Sequence, residues 1–175
     1  MAIITAGFEN GYIYNNILYR ILSSFTHGMI RVSTSNGTRS EAPARNVKIK
    51  NNIFYVKSRT YSVIEVHKRA MEGFECDYNF YYCEEGNTNE DLSDNGDKII
   101  SWDEWRERGS NEHSANVNPS FTDTIRLTPG RKLDCGINVG PEYNTGLSLF
   151  ANWYVDKYPE TKMYNGRWQL GTYIN

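Results

Sequence analysis

The amino-acid sequence predicts a mainly β protein, an antiparallel β-sandwich or barrel with one N-terminal α-helix. Three stretches alternate apolar and polar residues with the period of a strand, namely residues 74–82, 132–140 and 147–155. Asn- and Gly-rich turns separate the predicted strands, and one stretch near the N-terminus has helical spacing. With 175 residues and no break in composition, the chain is expected to form a single domain, residues 1–175.

The predicted helix lies in NGYIYNNILYRILSSFTHG, residues 10–28. Ile13, Ile17, Ile21 and Phe25 recur at the spacing of one helical face. An asparagine is available to cap the start of this segment, and a glycine is available to end it. We therefore expect one amphipathic helix that packs against the end of the β structure.

The remaining periodic segments predict strands. VKIKNNIFYVK, residues 47–57, is predicted to be a hairpin that turns at Asn51 and Asn52, because asparagine tolerates the positive φ of a tight turn. Further strands are predicted at MIRVST, YSVIEV, TDTIRL and RWQLGTYI. The buried faces of the three alternating stretches are predicted to be Phe74, Cys76, Tyr78, Phe80 and Tyr82; Leu133, Cys135, Ile137 and Val139; and Leu147, Leu149, Ala151, Trp153 and Val155.

No internal repeat is evident, and residues 84–120 are expected to form a long acidic loop. Within this segment, WDEWRERG predicts a short helical turn. Trp102 and Trp105 would attach that turn to the body of the fold.

Part of the predicted loop resembles the calcium-binding loop of an EF-hand. In SDNGDKIISWDEW, residues 93–105, the oxygen-bearing side chains at matching positions are Asn95, Asp97, Ser101 and Glu104. However, a serine stands where the first aspartate belongs, and a lysine replaces the glycine needed for the sharp turn. The sequence therefore favours an acidic turn, and we expect neither a metal nor a cofactor. If calcium does bind, those four residues are its candidate ligands.

Charge is unevenly distributed along the chain. The net charge is +7 over residues 1–70, −10 over residues 71–112 and +1 over the remainder. Either the acidic stretch folds over the basic one, or opposite charges meet between copies of the chain. The second alternative predicts an interaction surface formed by Lys48, Lys50, Lys57 and Arg59 on one side and Glu84, Glu85, Glu90 and Asp91 on the other.

Motifs for catalysis or covalent chemistry are scarce. The three histidines have no metal-ligand spacing, and there is no nucleotide-binding loop or nucleophile elbow. Cys76, Cys83 and Cys135 are expected to be buried thiols, although a disulfide remains open if the protein is exported. We therefore expect no catalytic residues and no enzyme.

The basic and aromatic residues of the chain suggest two kinds of ligand, nucleic acid and carbohydrate. Basic residues around Phe54 and Tyr55 resemble a nucleic-acid surface, but the acidic overall balance makes nucleic acid an improbable partner. Carbohydrate is a stronger candidate, because the chain is rich in Tyr, Trp, Asn and Asp, which stack on sugar rings and bond their hydroxyls.

The sequence predicts a compact β protein with many Asn and Tyr residues and with polarised charge. In this overall character it loosely resembles small accessory proteins of tailed-bacteriophage particles. That class-level resemblance implies a homo-oligomeric structural protein of the neck, tail or capsid surface, whose partners are itself or other structural proteins. A carbohydrate-binding module or receptor-binding adhesin is the alternative, and an enzyme with a site built from distant loops is the third.

The segment MAIITAGFENGY matches no signal peptide, and no apolar run is long enough to cross a bilayer. We therefore expect synthesis in the cytoplasm and no membrane partner. The resemblance to phage accessory proteins further implies incorporation into a virion.

Overall fold

The computed structural model describes residues 3–19, 28–34, 42–57, 62–86, 89–92, 99–123, 128–129, 133, 136–140, 163–164 and 167–168. Most of its strands follow one another in coils of three. The first coil contains β1 (Ile3–Ala6), β2 (Tyr12–Tyr14) and β3 (Ile17–Tyr19); the second β4 (Ile30–Ser33), β5 (Lys48–Lys50) and β6 (Ile53–Val56); the third β7 (Ser62–Val66), β8 (Glu75–Asp77) and β9 (Phe80–Cys83). The fourth contains β10 (Asn89–Leu92), β11 (Ile99–Ser101), a short helix α1 (Trp102–Glu107) and β12 (Ala115–Asn116).

Equivalent strands of successive coils stack side by side into three sheets. Sheet 1 has the order β1-β4-β7-β10-β11, sheet 2 has β2-β5-β8, and sheet 3 has β3-β6-β9-β12. Every pairing between coils is parallel, whereas β11 returns antiparallel to β10. The chain therefore winds as a parallel β-helix, a solenoid in which each coil rests on the previous one.

Two small hairpins lie outside the coils. β13 (Phe121–Asp123) pairs with β14 (Thr128–Pro129), and β15 (Met163–Tyr164) pairs with β16 (Arg167–Trp168), both antiparallel. Within the described part of the chain, no helix has the length and apolar character needed to traverse a membrane.

The predicted antiparallel sandwich or barrel is wrong, because the strands of successive coils run parallel. The error has a physical cause. Alternation with period two reports which side chains share a face of a strand, and it is the same for parallel and antiparallel partners. The strands predicted at MIRVST and YSVIEV are confirmed as β4 and β7.

The predicted N-terminal helix is also wrong. Its described part forms β2 and β3, which a corner at Asn15 and Asn16 separates, with φ of 55° at Asn15. Ile13 and Ile17 are four residues apart because two strands meet at this corner, not because they lie on one helical face. Residues 20–27 lie outside the described residues.

The predicted hairpin at Asn51 and Asn52 is wrong for the same reason. Asn51 has the expected positive φ of 60°, but β5 and β6 belong to different sheets and do not pair with each other. The residue type thus predicted the local backbone conformation at Asn51. The neighbouring coils determine that this turn joins strands of two different sheets rather than two paired strands.

Register reveals a repeat that the sequence analysis missed. The segments YIYNNILY, KIKNNIFY and ECDYNFYY occupy equivalent positions in the first three coils. Equivalent asparagines Asn16, Asn52 and Asn79 are 36 and 27 residues apart. The unequal spacing, which arises from connections of different length, hides the repeat from a search for a fixed period.

The third of these segments was predicted to be one continuous strand with a single buried face. Instead, Tyr78 has a φ of 56° and forms the corner between β8 and β9. Cys76 is packed in the interior, whereas Phe80 belongs to a separate apolar cluster on the outer face of sheet 3. The predicted face at residues 147–155 lies outside the described residues.

Buried asparagine side chains join the coils at the corner between sheet 2 and sheet 3. Asn16 Nδ2 donates to Asn52 Oδ1 at 2.9 Å, and Asn52 Nδ2 donates to Asn79 Oδ1 at 3.0 Å. The Asn79 backbone N–H continues the row by donating to Ser114 Oγ at 2.9 Å in the fourth coil. We call these four residues the asparagine ladder.

The ladder also satisfies backbone groups that the corner would otherwise leave buried without partners. Asn52 Nδ2 donates to the carbonyl oxygen of Ile13 at 2.9 Å and to that of Lys50 at 3.0 Å. Asn52 Oδ1 accepts from the Asn16 N–H at 3.1 Å. Since Asn52 is fully buried, these bonds form where water cannot replace them.

The helix α1 covers the core at its fourth-coil end. Phe54 and Tyr81 stack inside the solenoid with ring centroids 4.9 Å apart, and Trp102 contacts Tyr81 edge-on at 4.8 Å. Trp102 and Trp105 are 6% and 1% exposed, which confirms the prediction that they attach this helical turn to the body of the fold. Residues 84–120, expected as a long loop, also supply β10, β11 and β12.

A segment near residue 137 covers the outer face of sheet 3. Leu133 is buried against Ile53 and Phe80. Asn51 Nδ2 donates to the Ile137 carbonyl at 2.8 Å, and the Ile137 N–H donates back to Asn51 Oδ1 at 2.9 Å. This outer face is therefore an internal interface.

Replacing Asn52 by alanine should destabilise the fold by about 3 to 5 kcal/mol, because several buried backbone and amide groups lose their partners together. Denaturant unfolding would measure the loss. Asn16→Ala is the matched control at the end of the ladder and should cost less, since Asn16 is only partly buried. Equal losses at the two positions would contradict the role of the ladder.

Gly73 tests the corner that precedes β8 of sheet 2, and Gly109, in the turn after α1, is the control. Gly73 has a φ of +65°, and a Cβ there would clash with Asn46 Oδ1. The side chain of Asn46 is itself held in place, because its Nδ2 donates to Asn10 Oδ1 at 3.1 Å. Gly109 has a φ of +84°, but a Cβ there would have no atom within 4 Å. Gly73→Ala should therefore destabilise the fold by about 2 kcal/mol or more, against about 1 kcal/mol for Gly109→Ala, measured by thermal unfolding.

Candidate functional site

The outer face of sheet 2 carries the most varied set of polar and aromatic side chains among the described residues. Ile13, Ile49 and Cys76 are buried in the core, so their strand neighbours point outward. Parallel register sets these neighbours in two rows across the sheet: Tyr12, Lys48 and Glu75, then Tyr14, Lys50 and Asp77.

One carboxylate on this face binds two ammonium groups. Lys48 Nζ lies 2.8 Å from Glu75 Oε1, and Lys50 Nζ lies 2.6 Å from Glu75 Oε2. Hydrogen bonds from Lys48 and then Lys50 lower the pKa of Glu75 below its ordinary value. The hydrogen bond to Glu75 raises the pKa of Lys48 above its ordinary value. We call Lys48, Lys50 and Glu75 the charged triad.

Tyr12 places an exposed aromatic ring beside the charged triad. Its side chain is 44% exposed, and Lys48 Nζ lies 5.9 Å from the ring centroid, within the range of a cation–π contact. An accessible ring next to ammonium donors can bind a ligand that has both an apolar face and polar edges.

Asp77, at the end of β8, orients a histidine from the fourth coil. Asp77 Oδ2 lies 2.7 Å from His113 Nδ1, and Asp77 Oδ1 accepts from the backbone N–H of His113 at 2.8 Å. The imidazole lies flat on Tyr78, with centroids 4.6 Å apart and planes 1° apart. Carboxylate and ring together fix the orientation of an imidazole that is half exposed.

The structure separates the predicted interaction residues. Lys48 and Lys50 lie on sheet 2, whereas Lys57 is exposed just after β6. Glu84 and Glu85 are exposed in the turn after β9. Glu90 and Asp91 lie in β10, and Arg59 lies outside the described residues.

Charge pairs connect successive coils within one molecule. Besides the charged triad, Arg31 Nε lies 3.0 Å from Glu65 Oε1, and Arg45 Nε lies 2.9 Å from Glu72 Oε2. Much of the basic second coil therefore rests against the acidic third coil. In two of these contacts, Glu72 and Glu75 of the acidic stretch bind basic residues of the same molecule, and assembly between copies stays a prediction.

The described calcium candidates have other roles. Ser101 caps α1 by accepting from the Glu104 N–H at 3.2 Å, and Glu104 Oε1 binds Arg108 at 2.8 Å. Asn95 and Asp97 lie outside the described residues. Across the ranges that are described, no three His, Cys, Asp or Glu side chains gather around a point where they could hold a metal.

The cysteines agree with the expectation as far as they are described. Cys76 and Cys83 are buried thiols, and Cys76 Sγ lies 3.3 Å from Tyr81 Oη. Cys135 lies outside the described residues.

Sequence reasoning missed Tyr12, Glu75, Asp77 and His113 as members of one face. Tyr12 was assigned to a helix, and β8 was read as part of a longer strand. Aligning the three segments on their asparagines would have placed Tyr12, Lys48 and Glu75 in one row. His113 has no such signal, because it lies in the irregular turn of the fourth coil.

The charged triad should contribute stability only while its members are ionised. Because the pKa of Glu75 is lowered, its contribution is present above the ordinary carboxyl range and is lost as the pH falls through the lowered value. Because the pKa of Lys48 is raised, its contribution is lost as the pH rises through that value. The difference in melting temperature between the wild type and Glu75→Gln should therefore be constant near neutral pH and shrink below about pH 4.

High salt provides the control for this prediction. The triad is partly exposed, so about 1 M NaCl should also reduce the difference in melting temperature. A difference that persists at low pH would show that Glu75 stabilises the fold by packing rather than by charge.

Comparison of the chain with protein family models, with curated proteins and with solved structures finds no match.

Proposed function

We propose that this protein is a non-enzymatic interaction module that binds carbohydrate polymers through the outer face of sheet 2. The observation that carries the proposal is the exposed ring of Tyr12 beside the ammonium group of Lys48. A sugar ring presents an apolar C–H face that stacks on an aromatic ring, and hydroxyls at its edge that accept and donate hydrogen bonds.

The face is held in a fixed shape before any ligand arrives. Its three strands are short, but the asparagine ladder anchors the corner next to it through buried hydrogen bonds. A preorganised surface loses little conformational entropy when it binds, so modest contacts are enough for measurable affinity.

Repetition favours a polymer over a single small molecule. Parallel strands lie about 4.8 Å apart, so each of the first three coils adds one member to each row of sheet 2 at a regular step. An extended ligand can contact several coils at once, and the sum of weak contacts then gives useful binding.

The role predicted from the sequence, an accessory component of a virus particle, is part of the same proposal. An accessory component of a virus particle can use a rigid solenoid to attach to glycans on a surface. Glu72 and Glu75 of the acidic stretch already pair with Arg45, Lys48 and Lys50 of the same molecule, so these charges are used within one copy. Carbohydrate binding therefore becomes the leading proposal, ahead of assembly.

Retention by immobilised or gel-embedded polysaccharides tests the proposal. The wild type should be retarded by at least one member of a panel of neutral and acidic polymers, and Tyr12→Ala should lower that affinity about tenfold because the ring platform is lost. Met71→Ala is the matched control, since Met71 is also an exposed apolar residue at 38% and lies outside sheet 2. Retention that ignores Tyr12, or no retention by any polymer, would contradict the proposal.

A further inference from the structure

We infer that the polymer bound by sheet 2 is a carboxylated polysaccharide, a uronate polymer whose carboxylates are held by Lys48 and Lys50. This inference rests on the proposed function and specifies the class of carbohydrate.

The charged triad carries an excess positive charge. Two ammonium groups share the single carboxylate of Glu75, so the three side chains sum to about +1 at neutral pH. Each ammonium has three N–H donors and directs one toward Glu75. Both lysines therefore keep donor capacity for a second carboxylate.

Exposure allows a ligand to reach these donors. The Lys48 side chain is 30% exposed and the Lys50 side chain 19%, and Glu75, at 45%, is more exposed than either. Lysine side chains commonly pack their aliphatic part on a sheet and keep the ammonium group accessible to water. A polymer carboxylate can therefore add to the triad, or replace Glu75 in it, without opening the core.

The other carboxylate of β8, Asp77, lies beside Lys50 in the same row but forms its hydrogen bonds elsewhere. Asp77 accepts hydrogen bonds from the backbone N–H groups of Tyr78 and His113, both at 2.8 Å, and contacts His113 Nδ1 at 2.7 Å. Its oxygens are therefore occupied by the corner and the fourth coil, and they leave the N–H donors of the lysines available.

Tyr12 supplies the apolar surface on which the sugar ring of a uronate unit would stack. The Lys48 ammonium lies over the Tyr12 ring, 5.9 Å from its centroid, so both groups can contact the same ligand. One uronate unit can therefore stack on the ring while the carboxylate on its edge reaches Lys48. This combination of ring platform and cation distinguishes a uronate from a neutral sugar.

The experiment compares alginate, hyaluronate and polygalacturonate with their esterified forms by affinity electrophoresis, because esterification removes the charge and keeps the sugar backbone. The double variant Lys48→Gln/Lys50→Gln should bind the charged polymer about tenfold more weakly than the wild type, and should lose clearly less affinity for the ester. Lys57→Gln is the control for a general loss of charge, since it removes one positive charge from an exposed lysine off the face, against two in the double variant.

Glu75→Gln tests the inference in the opposite direction. Removing the competing carboxylate should strengthen binding to the charged polymer several-fold, and a gain in affinity cannot arise from misfolding. Weaker or unchanged binding by this variant would overturn the inference.

The remaining outcomes separate the inference from the proposed function. If only neutral or esterified polymers are retained, and Tyr12→Ala abolishes that retention, the proposed function stands and the uronate inference fails. If single-stranded DNA is retained as strongly as the uronate polymers, the face is a general polyanion surface and the inference fails as well. If none of these polymers is retained, both fail.

Discussion

A row of buried asparagine side chains at one corner of the solenoid determines how every coil rests on the next. Each ladder amide bonds both to its own coil and to a neighbouring one, as Asn52 does with Lys50 and Ile13. A shift of one residue in register would remove these partners from buried groups, so the ladder selects one stacking of the coils. The adjacent residue in each coil, Asn15, Asn51 or Tyr78, adopts positive φ and turns the chain between sheets.

Once the register is set, residues far apart in the chain become neighbours on the surface. Lys50 and Glu75 are 25 residues apart in sequence but lie 2.6 Å apart. Asp77 and His113 are 36 residues apart and also touch. The charge blocks of the sequence thus become pairs across coils, and the same stacking that neutralises them assembles the face to which we assign carbohydrate binding.

Two outer faces of the solenoid serve different purposes although their strands alternate in the same way. On sheet 3 the outward residues Ile53 and Phe80 are apolar, and Leu133 covers them while Asn51 holds the backbone of Ile137. On sheet 2 the outward residues are charged or aromatic, and Tyr12 is 44% exposed. The difference in side-chain chemistry makes sheet 3 an internal interface and leaves sheet 2 as the face on which we propose that a ligand binds.

The sequence by itself determined the local features: strands at β4 and β7, the short helix α1 with its two buried tryptophans, and a positive φ at Asn51. These follow from residue type and short-range periodicity. Only the tertiary structure decided that the strands run parallel, that residues 10–19 turn a corner instead of forming a helix, and that Tyr12, Lys48 and Glu75 share a row. The physical reason is that period-two alternation is independent of strand direction, and coils of unequal length conceal which residues stack.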